Sequence, residues 1–394
     1  MATVQNKRIL LGTITMLFWF TQFIYIPFLT PYLLSLAIPA TIVGIIIGAY
    51  GFTQMVLKLP FGITCDIVKN HKYFILLGTF LAGVSSLGML LFPSSECLII
   101  ANGLSGVASS TWVSFTILYS TYYAKAQSAH AIGLVNAFNN IGIVCAYIVG
   151  GILYQTFGIK TLFMISFAAG MLAFLLALFI KRETHLRLVR NTPSITAKTI
   201  IEVMKNKRLW FFSILSACAF FILFATAFSF TTSTAKQLGA NGVELGVLSV
   251  LFSLAGIFSA VFIGTRLAQQ IGEKIMLISG FLLLVIYCGG IAYLHNLILL
   301  FLLQFLCGGI GGGILCAALM AGIVKCADTN KKSTTMGLYQ TVYGVGMTIG
   351  PVIMGYLVDT TSINTAFSFM AIIALVCSIV ISFSYNSVFM EQQS

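Results

Sequence analysis

The chain has 394 residues, 59% of them hydrophobic and only 8% charged, with a mean hydropathy of +1.03. That balance lies far outside the range of soluble globular domains, so a water-soluble enzyme or binding module is excluded and a bilayer is the expected solvent. The net charge of +12 would suit a polyanionic partner, but its placement along the chain argues otherwise.

A bilayer core takes about 20 apolar residues per helix. Runs of that kind are predicted near 11–34, 41–61, 73–92, 97–121, 130–154, 160–180, 209–232, 244–264, 275–294, 297–323, 335–357 and 363–386. They are continuously apolar rather than alternating, which excludes barrel strands and predicts an all-α membrane protein with twelve transmembrane helices. The first run follows Lys7 and Arg8, as a secretory leader would. Its length, the lack of a clean small-residue cleavage site and the spans that follow predict that it stays in the mature chain.

Within the second run, Lys58 is a charge well inside a span. It has two readings: a stem that snorkels toward the nearer face and Asp66, or a cavity-facing group that serves an anion or a proton. The stretch PFGITCDIVKNHKY, residues 60–73, then breaks the apolar pattern with Pro60, Gly62, Asp66, Lys69, His71 and Lys72 and is predicted as the loop between spans two and three. After span six comes KRETHLRLVRNTPSITAKTIIEVMKNKR, residues 181–208, a long polar segment. It is predicted as a basic cytoplasmic linker between a six-helix half at 1–180 and a second at 209–394.

With the N-terminus in the cytoplasm, eighteen of the 21 Lys and Arg fall on the inner side. Only Lys160 and Lys236 face outward and Lys58 lies within a span. This is the positive-inside pattern, so the basic excess reads as topology with both termini cytoplasmic in a plasma (inner) membrane, and not as a nucleic-acid surface. Nine cysteines occur singly and four histidines sit in loops or at span ends, without metal spacing. No GxxxxGK[ST] loop occurs, and neither a cofactor nor an enzymatic activity is predicted.

The halves look like repeats. LAIPATIVG (36–44) lies over LGANGVELG (238–246), displaced by 202. Gly62, Asp66 and Lys72 lie over Gly264, Ala268 and Lys274 at the same displacement. IGLVNAFNNIGIVCAYIVGG (132–151) lies over MGLYQTVYGVGMTIGPVIMG (336–355), displaced by 204. Three matches in order at nearly constant offset point to a duplicated unit.

With these features the whole chain resembles the major facilitator superfamily. The Gly-x-x-x-Asp loop between spans two and three is present as Gly62 and Asp66 with Lys69, His71 and Lys72, although Ile67 stands in place of the usual Arg. The glycine pattern of span five appears as Gly142, Ala146, Gly150 and Gly151, with Tyr147 where Pro is expected. Span eleven has Gly346, Gly350, Pro351 and Gly355. Span four departs from the family, with Asn102, Ser105 and Gly106 where Arg and a Gln-Gly pair are expected. The resemblance implies two pseudo-symmetric six-helix halves around a midplane cavity and alternating-access transport of a small molecule. It also implies a conformational latch at Asp66, which would cap a helix N-terminus and pair with Lys69 or Lys72, Gly62 allowing close helix approach. The other reading of Asp66 is a solvated loop carboxylate. The glycines of spans five and eleven are either plain packing or the seam on which the halves rock. Their resemblance to the antiporter pattern favours efflux, with protons as the candidate coupling ion and Lys58 and Asp66 as candidate coupling groups.

No Asp or Glu lies in the middle of a span, so the candidate substrate contacts are uncharged: Gln22, Tyr25, Tyr50, Gln54, Trp112, Asn136, Asn139, Asn140, Gln304, Tyr339, Gln340 and Tyr343, with Ser109 beside them. Each has an alternative as an interhelical hydrogen bond. Phe220, Phe224 and Phe228 recur every four residues along span seven, as a lipid-facing or packing stripe or as a cavity wall suited to an amphipathic solute. The expected solute is neutral, zwitterionic or amphipathic and the expected carrier a monomer. Nutrient uptake of a sugar, nucleoside or amino acid, or uniport, is the alternative.

Overall fold

A computed structural model describes residues 4–68, 70–181, 202–262, 268–327 and 332–390. Among these residues there are twelve helices long and apolar enough to cross a membrane, and no strand. They are α1 (Val4–Ser35), α2 (Ala40–Val68), α3 (His71–Leu91), α4 (Ser95–Thr121), α5 (Ser128–Phe157), α6 (Ile159–Leu178), α7 (Lys207–Gln237), α8 (Gly242–Phe262), α9 (Glu273–Ala292), α10 (Leu297–Cys326), α11 (Lys332–Thr360) and α12 (Ile363–Met390). Most of the predicted linker, 182–201, lies outside the described residues.

Several spans are irregular, and α8 ends in a π segment at 259–262. In α1 the helix stops at Phe23 and restarts at Ile26. Pro27 has no N–H and its ring crowds the carbonyl four residues back, that of Phe23. In α4 the break falls at Thr111, where Ser110 and Thr111 donate their hydroxyls to the carbonyls of Gly106 and Ala108, a back-bonding that bends helices. α7 widens into a π turn at Thr226–Phe230, with Ser229 donating to the Phe224 and Ala225 carbonyls. α10 does the same at Gln304–Gly309. Such π turns mark functional positions more often than chance.

The helices gather into two compact units. One takes in 1–36, 49–188 and 241–247, the other 37–48, 189–240 and 248–394. α2 and α8 therefore each begin in one unit and continue into the other. Lipid is as apolar as leucine, so packing rather than water exclusion holds each unit together. In the first, Phe18 stacks on Phe115 at 4.9 Å between ring centres, within a fully buried cluster that includes Leu11, Ile14, Ile75 and Ala173. In the second, Leu277, Phe281 and Leu284 of α9 are fully buried.

The glycines of α5 and α11 are readable as plain packing or as a seam between the halves, and Gly142, Gly150, Gly346 and Gly350 pack within a unit. A methyl at Gly142 or Gly150 would strike the Met16 or Ile24 carbonyl of α1, and one at Gly346 or Gly350 the Ala217 or Phe221 carbonyl of α7. The stripe thus seats α5 on α1 and α11 on α7, inside one unit each. Gly62, expected to permit close helix approach, has nothing within 4 Å of where a Cβ would stand.

Candidate functional site

The polar residues of the first unit form a bonded network. Gln22, left in the last turns before the α1 break, donates from Nε2 to Ser109 Oγ at 2.8 Å, and its Oε1 accepts from Ser105. Tyr50 and Ser109 share a hydrogen bond of 2.9 Å, and Tyr25 OH reaches Ser105 at 3.5 Å. Gln22 and Tyr25 are buried, 2% and 1% exposed. They join α1 to α4 as interhelical hydrogen bonds, whereas Tyr50 keeps exposed surface. Trp112 is half-buried, its ring edge-on to Trp19 at 5.3 Å. Asn136 is exposed, and Asn139 and Asn140 are half-buried on α5. Asn139 Oδ1 is buried without a hydrogen-bond partner among the described residues.

Lys58 Nζ donates to Gln54 Oε1, one turn back along α2, at 3.3 Å.

In the second unit Gln304 is fully buried at the start of the α10 π turn. It accepts from Tyr287 OH at 2.6 Å, and that hydroxyl meets Thr231 at 2.8 Å. Gln304 Nε2 has no partner among the described residues, a state that buried amides rarely tolerate without a reason. Tyr339 is buried against Ser216 at 2.9 Å. Phe220 stacks on Tyr343 at 4.6 Å, and the stripe continues through Phe224 to Phe228 at 6.2 and 5.0 Å. Phe228 in turn meets Phe252. Phe220, Phe224, Phe228, Gln340 and Tyr343 are all half-exposed while the residues between the phenylalanines are largely buried. The rings make one aromatic wall, and Gln340 stands one turn before Tyr343 on α11.

The switch region departs from expectation. Gly62 is the one weak breaker after Pro60, and α2 runs on to Val68. Asp66 lies in its last helical turn rather than in a loop, and the residue at the N-cap of α3 is Asn70, with no side-chain cap bond. Lys72 donates to the Leu178 carbonyl at 2.7 Å, closing the C-terminal end of α6, where a cation complements the helix dipole. Lys69 lies outside the described residues.

The end of α11 supplies contacts that sequence reading missed. Asp359 accepts from the backbone N–H of Ala40 and Thr41 at 2.9 and 2.8 Å and from Thr41 Oγ1 at 2.7 Å. Gln155, at the end of α5, accepts from the Gly242 N–H at 2.6 Å. A signal existed: α2 starts Pro39-Ala40-Thr41 without a capping side chain of its own in front of it, so its first N–H groups need an acceptor from elsewhere. Pro351, expected as part of the switch, presents its carbonyl to Gly44, and that of Thr348 faces Gly48.

A family model described as the Major Facilitator Superfamily matches residues 11–237 and 226–388. The chain belongs to the Major Facilitator Superfamily. An MFS-type transporter of Methanocaldococcus jannaschii is 25% identical over 380 residues, 92% of this chain and 94% of that protein. The multidrug resistance protein MdtG of Citrobacter koseri is 21% identical over 326 residues, 81% of this chain and 78% of that protein. Among solved structures, a bacterial homologue of the human lysosomal transporter Spinster superposes with a TM-score of 0.82 at 13% identity, covering 99% of this chain and 98% of that one. The nucleoside transporter NupG gives 0.81 at 14%, covering 98% and 99%. These likenesses establish the fold. Membership and the twelve apolar helices make this chain a multi-pass membrane transporter of small molecules.

Proposed function

We propose that this transporter moves a small neutral, zwitterionic or amphipathic solute outward by alternating access, coupled to protons. The observation that carries the reading is the aromatic wall of Phe220, Phe224, Phe228 and Tyr343, with Gln340 one turn before Tyr343. Half-exposed rings with an amide suit a flat amphipathic solute, since apolar contact supplies affinity and a few polar groups orient it. The sequence places no Asp or Glu in the middle of a span, which disfavours a bare organic cation. A relative named for multidrug resistance, aligned over 78% of its length, supports the efflux direction. The eighteen-to-two distribution of Lys and Arg supports an inner-membrane orientation with both termini cytoplasmic. Lys58, bonded to Gln54 within the span, is the coupling group this reading assigns; Asp66, Lys72 and Gly62 belong to the face expected to close on the cytoplasmic side.

A second reading, uptake of a hydroxylated nutrient, is favoured by the network of Gln22, Ser105, Ser109 and Tyr50, with Tyr50 offering a phenol to a solute.

The test is transport into inside-out vesicles with an acid interior and a pH-sensitive dye. Neutral amphipathic drugs, zwitterions, lipophilic cations and sugars are added in turn. Dye recovery with the first or second class supports the proposal. Exchange of labelled sugar or nucleoside with no dye response would replace it with uniport or uptake.

A further inference from the structure

We infer that Asp359 and Gln155 are equivalent positioning residues of the transport cycle, each latching the start of a neighbouring span in one state, with the charged Asp359 setting the resting balance. The two positions lie 204 apart, the displacement that relates 132–151 to 336–355, and the helix starts they hold, Ala40 and Gly242, lie 202 apart. In both copies of the repeat a side-chain oxygen at the end of one span caps the first turn of another, α11 on α2 and α5 on α8.

The surfaces under the two caps are backbone on backbone. Gly44 and Gly48 meet the carbonyls of Pro351 and Thr348, and Gly355 meets that of Ala40; at the other site Gly246 meets the Tyr147 carbonyl and Gly242 the ring of Tyr154. Such smooth contacts attract by dispersion but have little directional hold. Direction comes from the caps. α2 and α8 each begin in one unit and continue for most of their length in the other, so a cycle that carries each helix with the longer part of its span has to release its first turns from the cap. Asp359 offers three bonds and a negative charge to a helix N-terminus, where charge is favourable. Gln155 offers one bond and no charge. The first latch is therefore the stronger, and its loss moves the equilibrium further.

The experiment uses the full chain in lipid nanodiscs, where both faces are reachable and the outcome depends neither on orientation nor on the solute. Val43, which is fully buried, is replaced by Cys and its labelling by a hydrophilic maleimide is followed, the unsubstituted protein serving as blank. Ile47→Cys serves where Val43→Cys does not accumulate. Asp359→Ala is expected to raise the labelling rate about fivefold, within the range that loss of a cap produces. Asp359→Asn, which keeps one acceptor, is expected to raise it less, and Gln155→Ala less than Asp359→Ala. Gln155→Glu, which adds charge to the weaker latch, is expected to slow labelling about twofold in the Asp359→Ala background. Ala173→Cys, fully buried in the core of the first unit, reports general loosening. Unchanged labelling at residue 43 in Asp359→Ala, or equal increases at 43 and 173, would overturn the inference.

Discussion

Lys58 and Gln304 show what a single side chain reveals and conceals. Lys58 was legible as a functional candidate because a charge inside a span costs a few kcal/mol and is rarely incidental. Its bond to Gln54 is local too, since residues four apart on a helix are neighbours. Lys58→Met is expected to leave the folded protein intact and to cut transport driven by a pH gradient about tenfold or more, while exchange of labelled solute without a gradient persists. Equal loss of both would make Lys58 a solute contact instead. Gln304 was legible only as a polar residue. Its acceptor role toward Tyr287 depends on a π turn that no local pattern announces. Gln304→Leu removes one of the two partners of the Tyr287 hydroxyl, leaving Thr231, and is expected to cost about 0.5–1.5 kcal/mol, read as a lower thermal midpoint in detergent. Asp66 was misplaced for the complementary reason: after Pro60 nothing in Ile63-Thr64-Cys65 stops a helix, so the chain continues the α2 ladder through the acid.

At the scale of elements, hydropathy located the spans because lipid forces every backbone group to bond within its own helix. Their interruptions divide into readable and unreadable. Pro27 marks the α1 break in the sequence itself, whereas the π turns of α7 and α10 depend on hydroxyl and amide contacts made after folding. The glycine stripes were legible as packing surfaces, but their partners were not, because spacing on one helix says nothing about which neighbour fills it. The contrast gives a paired prediction. Gly346→Ala places a methyl on the Ala217 carbonyl and is expected to cost about 1–3 kcal/mol, seen as less monodisperse protein on size exclusion. Gly62→Ala, with open space around it, is expected to leave stability unchanged or raise it by about 0.5–1 kcal/mol. Loss of folded protein in Gly62→Ala with none in Gly346→Ala would reverse the assignment of the two glycines.

At the scale of the whole molecule, the twelve-helix architecture and the superfamily were legible because duplication leaves matching glycines at offsets of 202 and 204, and the family model spans the same residues. What could not be read is that each repeat lends the first turns of one helix to the other compact unit. That exchange is carried by backbone carbonyls and by Asp359 and Gln155, groups whose partners lie far away in sequence. The Ala40–Asp359 bond links residues 319 apart. A ribosome adds roughly 5–20 residues per second, so α2 enters the bilayer well before its cap has been made, and its first N–H groups spend roughly a quarter of a minute to a minute without that acceptor. Completion of α11 is then also a completion signal for α2, and a nascent chain halted short of residue 359 would show a full set of early helices whose second member still frays at its first turn.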